Sequence, residues 1–235
     1  MLKKYTFVLF CLLTISSFSQ NSKIDSLDLA NRKEKLNQLL FQDIPKINNN
    51  ETEKILKLYD DAESIATSKL GNYRVFIYSG KARLYEKIGD TKNAMFYMNK
   101  AYKTAVDFGD LIGSARALQL KGIYYGKRNL LDSSENYIAK SIKIVEKNIY
   151  NPIVDSLENK NLLLNLKSNL ALNHLLQKKH KSSIDYAYES YELAKKLKNK
   201  RTETLSLGYI AGNYYALGQN KKALEFYIKG VMDIF

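Results

Sequence analysis

The sequence predicts an all-α chain built as a stack of antiparallel helix pairs, and three observations predict it. Only two prolines and eleven glycines in 235 residues leave little material for a turn-dense β-sandwich. Long Lys/Glu/Leu/Ala-rich segments carry their large apolar residues at spacings of three, four and seven, the period of an amphipathic helix. The third observation is an internal repeat, and it carries the most weight.

Four copies of one phrase align within the chain. Ala82 and Tyr85 are followed by Ala94, Met98 and Ala101, and Gly122 and Tyr125 by Ser134, Ile138 and Ser141. Ala171 and His174 are followed by Ser183, Ala187 and Ser190, and Ala211 and Tyr214 by Ala223, Tyr227 and Gly230. The first two small residues stand twelve apart in every copy, and the third follows seven later. Small residues at these marks let two antiparallel helices approach closely, where a large side chain would hold the backbones apart.

Between the paired helices stand Ile88–Asp90, Lys127–Asn129, Gln177–Lys179 and Leu217–Asn220. Gly89, Gly218 and Asn129 suit a helix end that needs a positive φ. Helices are expected to end in the same way at Gly71-Asn72 and Gly109-Asp110. First marks at 82, 122, 171 and 211 give periods of 40, 49 and 40. The excess falls around Asn148–Ser156, where Asn151-Pro152 predicts a longer loop. Upstream, Ile55, Tyr59 and Ala62 fit the second half of a further unit. Pro45 and Asn48–Asn50 interrupt its first half, although Ser26–Gln42 reads as helix, so this unit is a degenerate repeat capping the stack. About nine helices are expected from the pattern.

These marks resemble the tetratricopeptide repeat (TPR) over Glu51–Phe235. The resemblance implies a right-handed superhelical α-solenoid in which the first helix of each pair lines a concave, partner-binding face. The chain departs from that pattern in three ways. It has no tryptophan, and Tyr78, Leu118, Lys167 and Leu207 hold the early position. The usual closing proline is missing, and the period is nearer forty than the usual thirty-four. Such forty-residue variants are similar to the exported sensor regions of bacterial signalling proteins, where the repeats precede a membrane span and a histidine kinase or a LuxR-type DNA-binding domain.

The first residues form a separate object. Lys3 and Lys4 supply a positive start, Tyr5–Ile15 is an apolar run too short to span a bilayer comfortably, and Ser17-Phe18-Ser19 has the small residues of a cleavage site. Export to the periplasm or beyond is expected, with Gln20 as the mature start. Cleavage would remove Cys11, the only cysteine, and with it any disulfide, thiolate metal site or thiol nucleophile. The expected organisation is therefore a signal peptide over 1–19, a degenerate capping helix and linker over 20–50, and TPR-like repeats over 51–235, with no membrane span in the mature chain.

Removing Lys3 and Lys4 lowers the formal charge from +13 to +11. The lysines are dispersed among acids, and the denser runs Gln177–Lys181 and Lys195–Arg201 fall at turns and helix C-termini, where the helix dipole favours cations. Nucleic acid is not the expected partner. Chemistry is equally thin. His174 and His180, the only histidines, straddle a turn and cannot share a helix face as a metal pair, and His174 takes the ring position of Tyr85, Tyr125 and Tyr214. Asp60-Asp61 reads as a solvated pair, and no phosphate loop or nucleophile elbow appears. No enzyme activity, metal or cofactor is expected.

Most tyrosines recur in the packing stripe, namely Tyr85, Tyr97, Tyr125, Tyr137, Tyr214 and Tyr227, and are expected in the core. Positions off that stripe on each first helix should face the groove. They are Arg83, Glu86 and Lys87; Arg116, Gln119, Ile123 and Lys127; Asn165, Ser168, Asn169 and Leu172; and Tyr209 and Tyr215. This mixed, basic, amide-bearing surface suits an extended or acidic peptide, with cations on its carboxylates and Asn165 and Asn169 on its backbone. The expected function is an exported, non-catalytic scaffold binding a protein or peptide; the alternative is the N-terminal sensor piece of a larger transducer. The final helix from Asn220 ends with Val231, Ile234 and Phe235 still on the packing stripe, so a further repeat or domain, or self-association through the C-terminal repeat, is expected to cover it.

Overall fold

Ten α-helices and no strand stand among the residues this computed structural model describes, 26–48, 50–149 and 157–232. The expected signal peptide with its Gln20 junction, the loop around Pro152, and Ile234 and Phe235 lie outside them. The chain divides into two compact units, one up to Ile77 and one from Tyr78 to Phe235, the division falling inside the helix Gly71–Lys87.

The first unit holds α1 (26–37), α2 (Thr52–Ile65) and the start of α3 (Gly71–Lys87). α1 runs on as a π-helical stretch, Gln38–Asp43, and a 3₁₀ turn, Ile44–Lys46. Pro45 is the second residue of that turn, where its missing N–H costs no helical bond. α2 buries Ile55, Tyr59 and Ala62, the stripe assigned from sequence to a second repeat helix. Arg32 donates to the Ile65 carbonyl at 3.2 Å and the Tyr73 hydroxyl to Asn37 at 2.9 Å. Gly71 corrects the expectation of a helix end at Gly71-Asn72: at φ −56° it opens α3 instead. The preceding 3₁₀ turn Ser68–Leu70 delivers right-handed geometry straight into the helix, so no left-handed residue is needed.

The second unit is a run of four hairpins. They pair α3 with α4 (Thr91–Asp107), α5 (Leu111–Gly126) with α6 (Leu131–Ile149), α7 (Leu157–Leu176) with α8 (His180–Lys196), and α9 (Lys200–Ala216) with α10 (Asn220–Met232). The second helix of one hairpin packs on the first helix of the next, and the first helices α5, α7 and α9 also touch in succession. This is the all-α stack that the internal repeat predicts.

The small residues at the marks do what their spacing requires. A Cβ on Gly122 would stand 2.5 Å from Ile138 Cγ1, so α5 and α6 approach closely only because the side chain is missing. Where the second mark is serine, its hydroxyl uses that proximity. Ser134 donates to the Gly122 carbonyl and Ser183 to the Ala171 carbonyl, each at 2.7 Å and buried. Such bonds contribute on the order of 1 kcal/mol each. Three residues past each mark, rings meet across the hairpin: Tyr85 on Tyr97, Tyr125 on Tyr137 and Tyr214 on Phe226 are stacked, and His174 meets Tyr186 edge-on. Each pair adds about 0.5–1.5 kcal/mol beyond its area. Tyr227 is a correction to the expected core: Phe226 makes the stack and Tyr227 is 47% exposed. Its counterparts Met98, Ile138 and Ala187 are buried because another hairpin follows each of them.

Every hairpin turns by one device. Gly89, Asn129, Lys178 and Gly218 have φ between 57° and 80°. The next residue's N–H reaches back to the carbonyl of the ring residue, from Asp90, Leu130, Lys179 and Gln219 to Tyr85, Tyr125, His174 and Tyr214, at 2.8–3.0 Å. That is a Schellman closure. Gly109 and Lys198 close two of the connections between hairpins in the same way. The sequence marks glycine and asparagine for this role but not Lys178 or Lys198, which carry a Cβ in the left-handed region.

Two asparagines tie hairpins together. Asn173 donates to Ser134 Oγ and Asn213 to Ser183 Oγ, both at 2.7 Å and buried. Asn213 also donates to the Tyr209 carbonyl at 2.8 Å, and its carbonyl oxygen lies 2.9 Å from His180 Nδ1. Each second-mark serine thus joins its own hairpin to the next.

Gly122→Ala should destabilise the chain by about 1–3 kcal/mol through overpacking. Gly208→Ala, where a Cβ meets nothing within 4 Å, should gain up to about 1 kcal/mol from helix propensity. Urea denaturation of the two variants checks the contrast. Equal midpoints would remove the close approach as the reason for glycine at 122.

Candidate functional site

α3 and α5 present the charged part of the candidate groove. Arg83, Glu86, Lys87, Gln119, Ile123 and Lys127, six of the residues selected from sequence, line one cleft of about 340 Å³ together with Leu120. Helical spacing explains the gathering: 83, 86 and 87 share one face of α3, and 119, 123 and 127 share one face of α5. Glu86 is the covered acid of the site, with Lys127 Nζ at 3.1 Å and Arg128 at 3.8 Å from its carboxylate. Arg128 lies over the Tyr124 ring at 3.7 Å, which fixes the guanidinium at the rim. Arg83 and Lys87 are exposed at the mouth.

The other selected residues lie outside that cleft. Arg116 is half-buried and ion-paired with Glu158 of α7. Asn165 is exposed, Asn169 and Leu172 are half-buried, and Tyr215 is 67% exposed. Ser168 differs from expectation: it is buried and shares a hydrogen bond with Tyr209 across α7 and α9. Its short side chain sits beneath the next first helix rather than on the groove surface. Burial pushes the Tyr209 hydroxyl up in pKa, and the Ser168 hydrogen bond opposes that shift. Sequence spacing missed Leu120 and Glu158. Glu158 lies 42 residues from Arg116, so only the stacking register could have found it.

Buried lysines are part of the packing. Lys81 and Lys121, equivalent in consecutive hairpins, lie over Tyr97 and over Tyr102 and Tyr137 at 5.1–5.5 Å. Burial lowers the Lys121 pKa. Lys167, at the early position, bridges Glu146 and Glu189. Burial pushes its pKa down, but the two carboxylates outweigh burial and leave it raised.

His174 is packed between helices, as its ring position predicts. It is buried, with Nε2 3.2 Å from Glu135 Oε1, close enough for an ion pair but outside hydrogen-bond geometry. Lys179 Nζ holds the other carboxylate oxygen at 2.8 Å. Burial pushes the Glu135 carboxyl up, but Lys179 and His174 together outweigh it and hold it below its usual value. No cluster of three or more His, Cys, Asp or Glu able to hold a metal occurs among the described residues.

The same architecture recurs in solved structures. Aspartyl phosphate phosphatase F from Bacillus subtilis matches over 88% of this chain at a TM-score of 0.62 with 15% identity. BtubC from P. vanneervenii matches over 88% at 0.61 with 12% identity. The nearly identical TPR-like repeats of a putative kinesin light chain from Podosopora anserina match over 87% at 0.59 with 14% identity. The chain spans 49% of the phosphatase but 90% and 94% of the other two. No protein-family model matches the sequence, and no curated protein sequence does either. At these identities the likeness establishes a TPR-like helical-repeat fold.

A group whose folded pKa is depressed stabilises the fold above its unfolded pKa and loses that contribution as pH falls through the folded value. For Glu135 the contribution is therefore complete above the ordinary glutamate value of 4.5 and is lost as pH falls below it. Glu135→Gln should lower stability at pH 7 and make the decline between about pH 5 and 3 shallower. Chemical denaturation at stepped pH measures it; parallel curves for the two proteins would remove the cluster from the acid response.

Proposed function

We propose that this chain is a non-catalytic scaffold that binds a protein or extended peptide along the groove formed by its first helices. The observation that carries this reading is the cleft of about 340 Å³ lined by Arg83, Lys87 and Lys127 around a single acid, Glu86. The cationic side chains of this lining suit the carboxylates of an acidic partner, and Gln119 adds an amide for its backbone. The TPR-like fold supports an interaction role in general terms. Reversing Arg83, Arg116 and Lys127 to Glu should abolish capture of an acidic peptide while far-ultraviolet circular dichroism stays helical. Undiminished capture would move the interaction off the groove.

The exposed face of α10 supports self-association. Leu224, Tyr227 and Val231 are 59%, 47% and 56% exposed, at the register that the following hairpin covers at Ile184, Ala187 and Tyr191. A second copy fits this face in antiparallel register: Leu224 then meets Val231, Tyr227 meets Ile228, and Glu225 lies beside Lys229. Light scattering over a concentration series should show dimers that Leu224→Glu with Ile228→Lys returns to monomers. A monomer at all concentrations would instead favour a following domain on that face, as the transducer reading requires.

Export is the proposed location, on the strength of Lys3, Lys4 and the apolar run Tyr5–Ile15. No helix among the described residues is long and apolar enough to cross a membrane. Mass spectrometry of envelope fractions should find Gln20 as the first residue; retention of residues 1–19 would point to an anchored chain.

A further inference from the structure

The groove changes character along its length, register by register. One residue past the first mark stand Arg83, Ile123, Leu172 and Gly212. Four past it stand Glu86, Gly126, Leu175 and Tyr215, and five past it Lys87, Lys127, Leu176 and Ala216. Six before it stand Phe76, Arg116, Asn165 and Leu205. The half built by α3 and α5 has a charged side chain at five of these eight positions, while the half built by α7 and α9 has none and carries mainly aliphatic and aromatic groups.

These apolar groups face water. Leu176, Leu205 and Tyr215 are 53%, 43% and 67% exposed. Upstream, Lys87 and Lys127 hold the Leu176 register, Arg116 the Leu205 register and Glu86 the Tyr215 register, so packing does not require an apolar side chain at them. Gly208 leaves the α9 surface open, with nothing within 4 Å of where a Cβ would be. A solvent-facing apolar half continuous with a cationic cleft suits one ligand that bears both complements.

We infer that the groove binds an extended segment of two blocks, acidic residues over α3 and α5 and aliphatic or aromatic residues over α7 and α9. This rests on the groove reading above and adds the chemistry of the ligand's second half. Neighbouring packed helices lie about 10 Å apart, so the two halves are centred roughly 20 Å apart along the first helices. An extended chain rises about 3.3 Å per residue, which separates the two blocks by about six residues. The acidic block is held by Arg83, Lys87 and Lys127, and the apolar block lies on Leu172, Leu205 and Tyr215 with Gly208 giving its backbone room.

The test is selection from a phage-displayed library of random dodecapeptides on three proteins: the wild type, Arg83→Glu with Lys87→Glu, and Leu205→Glu with Tyr215→Glu. All four substituted side chains are exposed, so the variants keep the fold, and circular dichroism verifies it. The wild type should enrich peptides with an acidic and an apolar block about six residues apart. The first variant should lose the acidic block only and the second the apolar block only. By fluorescence anisotropy, the wild-type consensus peptide should bind each variant at least about tenfold more weakly, a difference of about 1.4 kcal/mol. A consensus that is acidic alone, and indifferent to Leu205→Glu with Tyr215→Glu, would overturn the two-block ligand and leave the groove reading standing. Enrichment that neither variant alters would overturn both.

Discussion

The array rests on the contact between the first and second small residues of each hairpin. At Gly122 the helices approach so closely that one carbon atom would collide with Ile138. That proximity brings Ser134 to the carbonyl of the facing helix, and the same is true of Ser183 and Ala171. Once the seam is set, helical geometry places the residue three positions on opposite its partner ring, which is why the ring pairs recur in all four hairpins. The turn follows too, since the carbonyl that receives the Schellman bond belongs to the ring residue. One short distance therefore fixes the pairing, the ring stack and the reversal of the chain.

The groove is a by-product of that seam. A first helix that spends one face on its own partner and another on the preceding hairpin has one stripe left, and the stripes of α5, α7 and α9 line up because these helices touch in succession. The packing does not dictate what stands on the stripe. That freedom lets Arg83 and Leu172 occupy the same structural position without disturbing the fold. The phosphatase, BtubC and kinesin light chain repeats share the stack with this chain at 12–15% identity, so they inform its architecture and leave the stripe open.

What the sequence disclosed follows the same division. The seam was legible because small residues at fixed offsets have one physical meaning, and the positive-φ turns were legible where glycine or asparagine marked them. Lys178 and Lys198 were not, because the Schellman bonds and the stack impose the left-handed geometry on side chains that do not advertise it. Gly71 was misplaced because a 3₁₀ turn before a helix leaves no mark that distinguishes it from a helix end. Tyr227 fits the repeat as well as Met98 does, and only the absence of a covering hairpin among the described residues separates them. In the groove, helical spacing picked out six residues that line one cleft, while Ser168 is buried because its surroundings are decided by the neighbouring hairpin.

The asparagine bridges have a consequence for how such an array grows by duplication. Asn173 and Asn213 each meet a serine in the hairpin before them, whereas Tyr124 meets an apolar cluster that includes Ala94. Hairpins therefore carry matching ends, polar to polar and apolar to apolar. A tandem copy of the α7–α8 module inserted after itself keeps the match, because its asparagine again finds Ser183. Splicing α9 directly behind α4 would set the Asn213 amide against Ala94, leaving it the Tyr209 carbonyl but taking away its serine acceptor, at a cost of about 1–3 kcal/mol. The order of modules in this chain is thus written into its joints, and recombination that ignores it is penalised before any binding function is at stake.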